Sequence, residues 1–410
     1  MFTFQLRAVA VTVALLPALV VAAPLTLDQA LDLAVQRSEG ARSARAGVAS
    51  AAEAARAAGQ LPDPVLRAGV DNLPVTGGDR LSTTRDSMTM KRIGISQEWV
   101  STEKRSARQA AAEALVQRES VSVGVAAAEV RLQTALAYID AYFAGESLKL
   151  TTLSEHHLHE ESETAKGRLS SSAGSGQEVL AAAGARGIAE DESAEVRQQQ
   201  SAARVTLERW VGVTADELAA PVASLAVPEQ TYVDGNPAVL SALREIEFAR
   251  QEANVASSNR KPNWSWEVSY GQRTGYSDMV SFGVSIPLPV SPAERQDRET
   301  ASKLALVDKA EANLAEATRA AQADFRGLAS DAQRLGDRIQ RYQASVVVVA
   351  RQRTAAALAG YRSNQVTLMS LFEARHMEVE AQRKLLSLQR DLAKTQAQIA
   401  YKPLMIGGAR

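Results

Sequence analysis

Apolar positions recur along this chain at two spacings, and the change of spacing divides it into elements. Thr26 to Ala58 is Ala-rich and reads as helical, with Asp28 near its start. From Thr102 to about Ser170 no Pro interrupts the chain. There Leu132, Leu136, Ile139, Phe143, Leu150 and Leu153 form a helical stripe with one gap at Glu146. Ala293 to Ala359 is again free of Pro. Its stripe is cleaner: Ala321, Phe325, Leu328, Ala332, Leu335, Ile339, Tyr342, Val346 and Val349. Each long segment has about 68 residues and reaches ~100 Å at 1.5 Å per residue. A compact globule cannot use such helices, whereas a rod, a bundle or a tube can.

Two short regions switch to period two. Trp264, Trp266, Val268 and Tyr270 alternate with small or polar residues. After a polar turn, so do Val280, Phe282, Val284, Ile286 and Leu288. Strands are predicted at about 263–271 and 279–288. Their earlier counterparts are predicted at about 65–73 and 90–100, where Ile93, Ile95 and Trp99 share a face. Strands of about nine residues with one apolar and one small-polar face suit an outer-membrane barrel.

The order helix, Pro, strand, loop, strand, long helix, break, helix occurs twice. Pro62 corresponds to Pro262, and Gly94-Ile95-Ser96 to Gly283-Val284-Ser285. The expected division is a first repeat at 24–218, an irregular connector at 219–235, a second repeat at 236–402 and a tail at 403–410.

Composition narrows the class. The 410 residues are 46% hydrophobic and 23% charged, with a formal net charge of -1, so the chain folds and carries no bulk positive field for nucleic acid. There is no Cys, which removes thiol catalysis, disulfide scaffolds and a lipidated N-terminal cysteine. Arg7 followed by the apolar run Ala8 to Val21 reads as a signal peptide over residues 1–23, with cleavage after Ala22 or Ala23. No other segment is apolar enough for a membrane helix, so any membrane insertion must use strands. No GxSxG, P-loop or HExxH motif is present, so neither an enzyme nor a cofactor is expected.

Several ordered motifs now combine. They are Leu25-Thr26-Leu27-Asp28-Gln29-Ala30-Leu31, Asn236-Pro237, the Pro-strand junctions at Pro62 and Pro262, Ala359-Gly360-Tyr361 and Leu371-Phe372-Glu373-Ala374-Arg375. On these the chain resembles the TolC-type outer-membrane efflux family, and within it the non-lipidated heavy-metal branch. The resemblance implies a mainly α fold with a small β part. Long antiparallel helices would form an α-helical tube. Four strands per chain would enter a trimeric twelve-stranded outer-membrane barrel. Departures occur at Ser38-Glu39, where the family has Asn-Pro, and at Leu169-Ser170-Ser171-Ser172-Ala173-Gly174-Ser175-Gly176, where the family has a Gly directly after the long helix and a shifted turn is expected. Asn364 stands in the second turn where Gly is usual, a mild change because Asn tolerates the left-handed conformation.

By the same resemblance, the turns near Leu169–Glu178 and Tyr361–Glu373 form periplasmic tips that close the tube and dock an adaptor. Ser172 and Asn364 mark the two turns. Tyr361 matches a gating tyrosine, Glu373 an acid of the constriction, and Glu178 the equivalent acid of the first half. Ser370 replaces a second acid. Glu178 and Glu373 also fit ordinary acids near helix N-termini. Trp99, Trp264, Trp266 and Tyr270 fit an interfacial aromatic belt, or plain packing at the barrel junction. His156, His159, Glu160 and Glu163 share one helix face beside His157, and His376 lies at a similar height in the second half. They fit either a weak divalent-metal belt or a solvated face.

The expected function is a passive exit channel in the bacterial outer membrane, with a long periplasmic extension. Its expected partners are two further copies, outer-membrane lipid, a periplasmic adaptor and an inner-membrane RND-type pump. Divalent heavy-metal cations are the leading cargo, with drug efflux or type I secretion as alternatives. A periplasmic coiled-coil scaffold is the alternative from another class.

Overall fold

The computed structural model describes residues 24–221 and 227–404. The expected signal segment, residues 222–226 of the connector and residues 405–410 of the tail lie outside the described residues. The first half contains α1 (Leu27–Arg37), α2 (Glu39–Ala58), β1 (Val65–Asp71), β2 (Met90–Trp99), α3 (Thr102–Ser170) and α4 (Gly176–Val211). After α5 (Glu229–Asp234) come α6 (Pro237–Ser258), β3 (Trp264–Gln272), β4 (Met279–Ser285), α7 (Gln296–Tyr342), α8 (Val348–Arg362) and α9 (Leu368–Tyr401).

The opening motif is a helix start. Thr26 and Gln29 cap each other's backbone N–H groups in a capping box, and Ala30 and Leu31 then turn into the core. The helix expected to run from Thr26 to Ala58 is interrupted at Ser38, whose ψ of 110° is not helical. The Ser38 hydroxyl accepts the Ala41 N–H at 3.0 Å and so starts α2. Asn236 does the same for α6 by accepting the Ala238 N–H at 3.0 Å, so Ser-Glu and Asn-Pro solve one problem. Leu25 bridges Leu218, and the buried Tyr138 hydroxyl lies 2.7 Å from the carbonyl oxygens of both Leu25 and Ala219. Burial pushes that phenol up to about 12.

Helix α3 lies at the centre, with α1, α2, α4, α6 and α9 packed around it. The single stripe expected on α3 therefore understates its burial. Leu132 and Ile139 are buried as expected, but so are Ala128, Ala135, Ala137, Tyr138 and Ala141, and Leu153 is exposed. Small side chains let several helices approach one rod at once. In the second half the helix is continuous from Gln296 to Arg362 except for a π turn at Gln343–Val347. The expected row at Val346 and Val349 is displaced: both are exposed and Val347 is buried instead. A π turn consumes one extra residue, which delays the contact row by one position.

Two further boundaries differ from expectation. The last strand ends at Ser285 rather than Leu288, because Pro287 has no N–H to continue the ladder. The connector is not wholly irregular. Pro228 opens the short helix α5, which buries Tyr232 and Val233 against α7. Tyr232 packs on Phe325 and donates to Asp324 Oδ2 at 2.5 Å. Lys402 donates to the same oxygen at 2.6 Å, and the Leu404 N–H donates to the Gly235 carbonyl at 2.7 Å. One carboxylate thus ties connector, α7 and the end of α9 together.

Burial pushes the Asp324 carboxyl up, but the hydrogen bonds from Lys402 and Tyr232 outweigh it and hold the group below its ordinary value. A carboxyl lowered by folding stabilises the fold at pH above its ordinary value near 4, and that contribution is lost as pH falls through the folded value. Tyr232→Phe is expected to cost about 1–2 kcal/mol and to flatten the acid limb of stability between pH 5 and 3. Thermal melts of the purified protein across that range check both effects, and an unchanged midpoint and slope would contradict them.

Candidate functional site

The four strands form one antiparallel meander in the order β1-β2-β3-β4. The register places every large apolar strand residue of the alternation on the same face. Leu66 pairs with Ile95, Ile95 with Val268 and Val268 with Phe282 in one row. The next rows carry Ile93, Tyr270 and Val280, and Gln97, Trp266 and Val284. This face is open: Phe282 is 80% exposed and Leu66 66%. Left in water, each such side chain forgoes on the order of 1.5–3 kcal/mol, a large sum beside a typical domain stability of about 5–15 kcal/mol.

The opposite face is polar and internally bonded. Arg67 pairs with Glu267 at 3.4 Å, while Arg92 pairs with Asp71 at 3.2 Å and reaches Ser269 Oγ at 2.9 Å. Gly94 keeps this face close, since a Cβ there would lie 2.7 Å from the Ser269 Cβ. The four aromatic candidates separate into two rims. Trp99 and Trp264 pair across β2 and β3 with ring centroids 6.1 Å apart, with Trp266 close by, at the end nearest the helices. Tyr270 lies six residues further along β3, about 20 Å away at 3.3 Å per residue.

The two helix-to-helix turns are alike. Ser171 caps α3 and Ser363 caps α8. Ser172 and Asn364 follow in the left-handed region, with φ of 60° and 55°. Ser175 and Thr367 then cap α4 and α9 through their hydroxyls. The first turn is therefore not shifted: a serine occupies the conformation that glycine or asparagine adopts at lower cost. The matching caps also correct the acid correspondence. Glu178 is the third residue after its cap, so its counterpart is Ser370, and Glu373 stands opposite Ala181. Glu178 closes a capping box with Ser175, which accounts for its presence locally.

Arg168, which no linear motif marked, joins the two turns. Its guanidinium lies 5.3 Å from the Tyr361 ring centroid, 3.5 Å from Asn364 Oδ1 and 3.3 Å from the Ala173 carbonyl. Tyr361 is half-buried against a cluster that includes Leu158, Ala165, Ala182 and Leu371. Gly360 permits the tight turn, since a Cβ there would meet Val366 Cγ2 at 3.0 Å. Glu373 is exposed on a groove of about 390 Å³ between α4 and α9, with Leu158, Ile188 and Phe372 in its walls.

Arg375 meets Glu161 at 2.6 Å, which sets the two histidine segments at one level as their distances from the tips suggest. Burial pushes the Glu161 carboxyl up, against the pull of the Arg375 guanidinium. The histidines themselves do not converge. His156 and His157 each face Glu160, at 3.4 and 3.7 Å, and His376 faces Glu192 at 3.7 Å. Lys166 engages Glu163 at 2.8 Å, and among the described residues His159 makes no ion pair. Among the described residues no three His or carboxylate groups are placed to hold one metal ion. Among them, too, no helix is long and apolar enough to cross a membrane.

No protein-family model matches the sequence, and no curated protein matches it. Solved structures do. CusC, described for the conformational changes accompanying folding and transmembrane channel formation, superposes with a TM-score of 0.76 at 15% identity over 92% of each chain. The outer membrane protein VceC of Vibrio cholerae gives 0.74 at 17% identity, covering 92% of this chain and 96% of VceC. The open state of the Neisseria gonorrhoeae MtrE outer membrane channel gives 0.73 at 17% identity, over 92% and 88%. The fold of this chain is that of the TolC-type outer-membrane channels.

Arg168→Ala is expected to release Tyr361 and Asn364. Backbone amides from Ser363 to Val366 should then exchange hydrogen at least several-fold faster while the central helices keep their protection. Unchanged exchange at the tip would show that Arg168 does not hold the two turns together.

Proposed function

We propose that the protein is the outer-membrane exit channel of a tripartite efflux system. The observation that carries this reading is the sheet: one face mostly apolar and largely exposed, the other largely polar, and its outer edges at β1 and β4 unpaired among the described residues. Unpaired backbone groups cannot face lipid, and the smallest membrane barrels have about eight strands. Three copies give a closed ring of twelve strands, with β4 of one chain beside β1 of the next. Because the strands alternate in direction, that junction is antiparallel like the others. The apolar face then meets lipid, the two aromatic rims lie at its borders, and Arg67, Glu267 and Arg92 line the lumen.

The chain is an internal duplication, 24–218 and 236–402, each half supplying one hairpin and one long helical pair. The helices extend into the periplasm and end at the two tips. There Tyr361, held by Arg168, and Glu373 narrow the passage, and the groove between α4 and α9 receives the adaptor that couples the channel to an inner-membrane RND-type pump. The channel itself is passive and carries no catalytic group.

A cross-linked trimer in mild detergent that conducts ions in planar bilayers is the expected result. Tyr361→Ala with Glu373→Ala should raise single-channel conductance and weaken cation preference. A species that stays monomeric and soluble without detergent would instead favour the periplasmic scaffold.

The cargo we propose is divalent metal cations, passed along histidine and carboxylate pairs too sparse to trap them, since a conduit must release what it admits. Pairs such as His376 with Glu192 are of that kind. Replacing all four His with Gln should lower cellular tolerance of zinc, cobalt, cadmium or copper at matched protein levels. Unchanged tolerance of all four would remove the histidines from the transport path.

A further inference from the structure

The π turn at Gln343–Val347 lies within an otherwise regular helix that leads to Tyr361. The Val348 N–H bonds to the Gln343 carbonyl, five residues back, instead of to Ala344. One extra residue turns everything beyond it by about 100°, the angle per residue of a 3.6-residue turn. The row Leu335, Ile339 and Tyr342 asks for Val346 next. The residue buried is Val347, 2% exposed, while Val346 is 38% and Val349 54% exposed. The row then continues through Ala350, Thr354 and Leu358 to Tyr361, all half-buried. Thr354 Oγ1 donates to the Ala374 carbonyl at 3.0 Å.

The sequence at this point is Val346-Val347-Val348-Val349. A run of four valines offers the seam a β-branched apolar residue whichever of two adjacent positions faces it. The backbone on either side is ordinary helix, with φ and ψ of -65° and -40° at Tyr342 and -61° and -44° at Val348. Inside the turn the Ser345 hydroxyl donates to the Arg341 carbonyl at 2.6 Å, a bond within one turn of helix that reaches no neighbouring element.

We propose that α8 is a two-register helix and that the valine run is its slip point. In the register seen here the π turn buries Val347 and presents Tyr361 to Arg168. When the π turn relaxes to regular α-helix, α8 rotates by about 100° and advances by about 1.5 Å. Val346 then fills the seam. Arg353 replaces Thr354, facing Glu378, which holds Arg351 only at 4.0 Å in the present register. Gly360 replaces Tyr361 against the tip cluster, and the contact with Arg168 is broken. Both registers keep a valine in the seam, so the switch exchanges one set of local contacts for another without opening the core. Its consequence for conduction rests on the proposed channel function, whereas the rotation itself does not.

The chain contains no Cys, so single cysteines report its surface without background. Ala356 is exposed and Leu358 half-buried in the present register, and the slip moves them to the places now held by half-buried Ala357 and exposed Ala359. In the full-length protein, Ala356→Cys should react with a water-soluble maleimide at least tenfold faster than Leu358→Cys. Adding Val347→Gln, which makes the present register bury an amide, should reverse that order while the protein stays folded, because Val346 takes the seam. Adding Val346→Gln should leave the order unchanged. Deleting Val346 removes the extra residue, preserves the present register and should also leave the order unchanged. Reversal with a rise in conductance supports the switch and its link to the tip. Reversal without a conductance change supports the switch and breaks that link. A Val347→Gln protein that unfolds, or that keeps the original labelling order, overturns the proposal.

Discussion

A four-stranded sheet with one apolar face open and two edges unpaired is the constraint on which the rest of this molecule depends. Neither feature can be satisfied by the helices, which attach at the strand ends and cover neither sheet face. Water penalises the apolar face, and lipid penalises the edges. Only an arrangement that puts the face in hydrocarbon and pairs the edges satisfies both. Closure into a ring of copies does this with no new secondary structure, because the meander already alternates in direction. The bonded polar face, with Arg67 on Glu267 and Arg92 on Asp71 and Ser269, is then already arranged as an interior.

The helical part answers a different requirement. Rods of nearly 70 residues need lateral support along their whole length, and α3 receives it from five neighbours through alanine-rich seams. Alanine has the best helix propensity and the least side-chain entropy to lose, so one residue type serves the local preference and the close approach together. At the far end both hairpins turn with the same cap, left-handed residue and cap. Arg168 joins the two turns through Tyr361 and Asn364, beside an apolar cluster that includes Leu158, Ala165, Ala182 and Leu371.

Much of the fold was legible in the sequence, because the elements are long and their periods distinct. The alternation at Trp264 to Tyr270 and at Val280 to Val284 set the strands and their shared face. The break at Ser38, the helix α5 and the early end of β4 were missed where a single cap, a docked Tyr232 or one proline decided the outcome. The stripe ending in Val346 and Val349 failed for a subtler reason: a run of four valines cannot reveal which one faces the seam. At the candidate site the turns at Ser172 and Asn364 were legible, since left-handed residues follow from turn chemistry. Arg168 and Glu192 were not, because their partners lie almost 200 residues away and no local spacing records such contacts. The matching of Glu178 with Glu373 failed because Glu178 answers to its own helix cap.

The most direct test of the sheet's role is its accessibility pattern. Single cysteines at Trp266, Val268, Phe282 and Val284, and at Glu267, Ser269, Ser281 and Gly283, can carry spin labels in protein reconstituted into lipid. The expected result alternates strictly. Labels at the first four sites should collide with oxygen dissolved in hydrocarbon and be shielded from a water-soluble nickel chelate, and labels at the second four should show the reverse. Equal access of the chelate to both sets would mean that the apolar face does not lie in lipid, and would contradict the barrel.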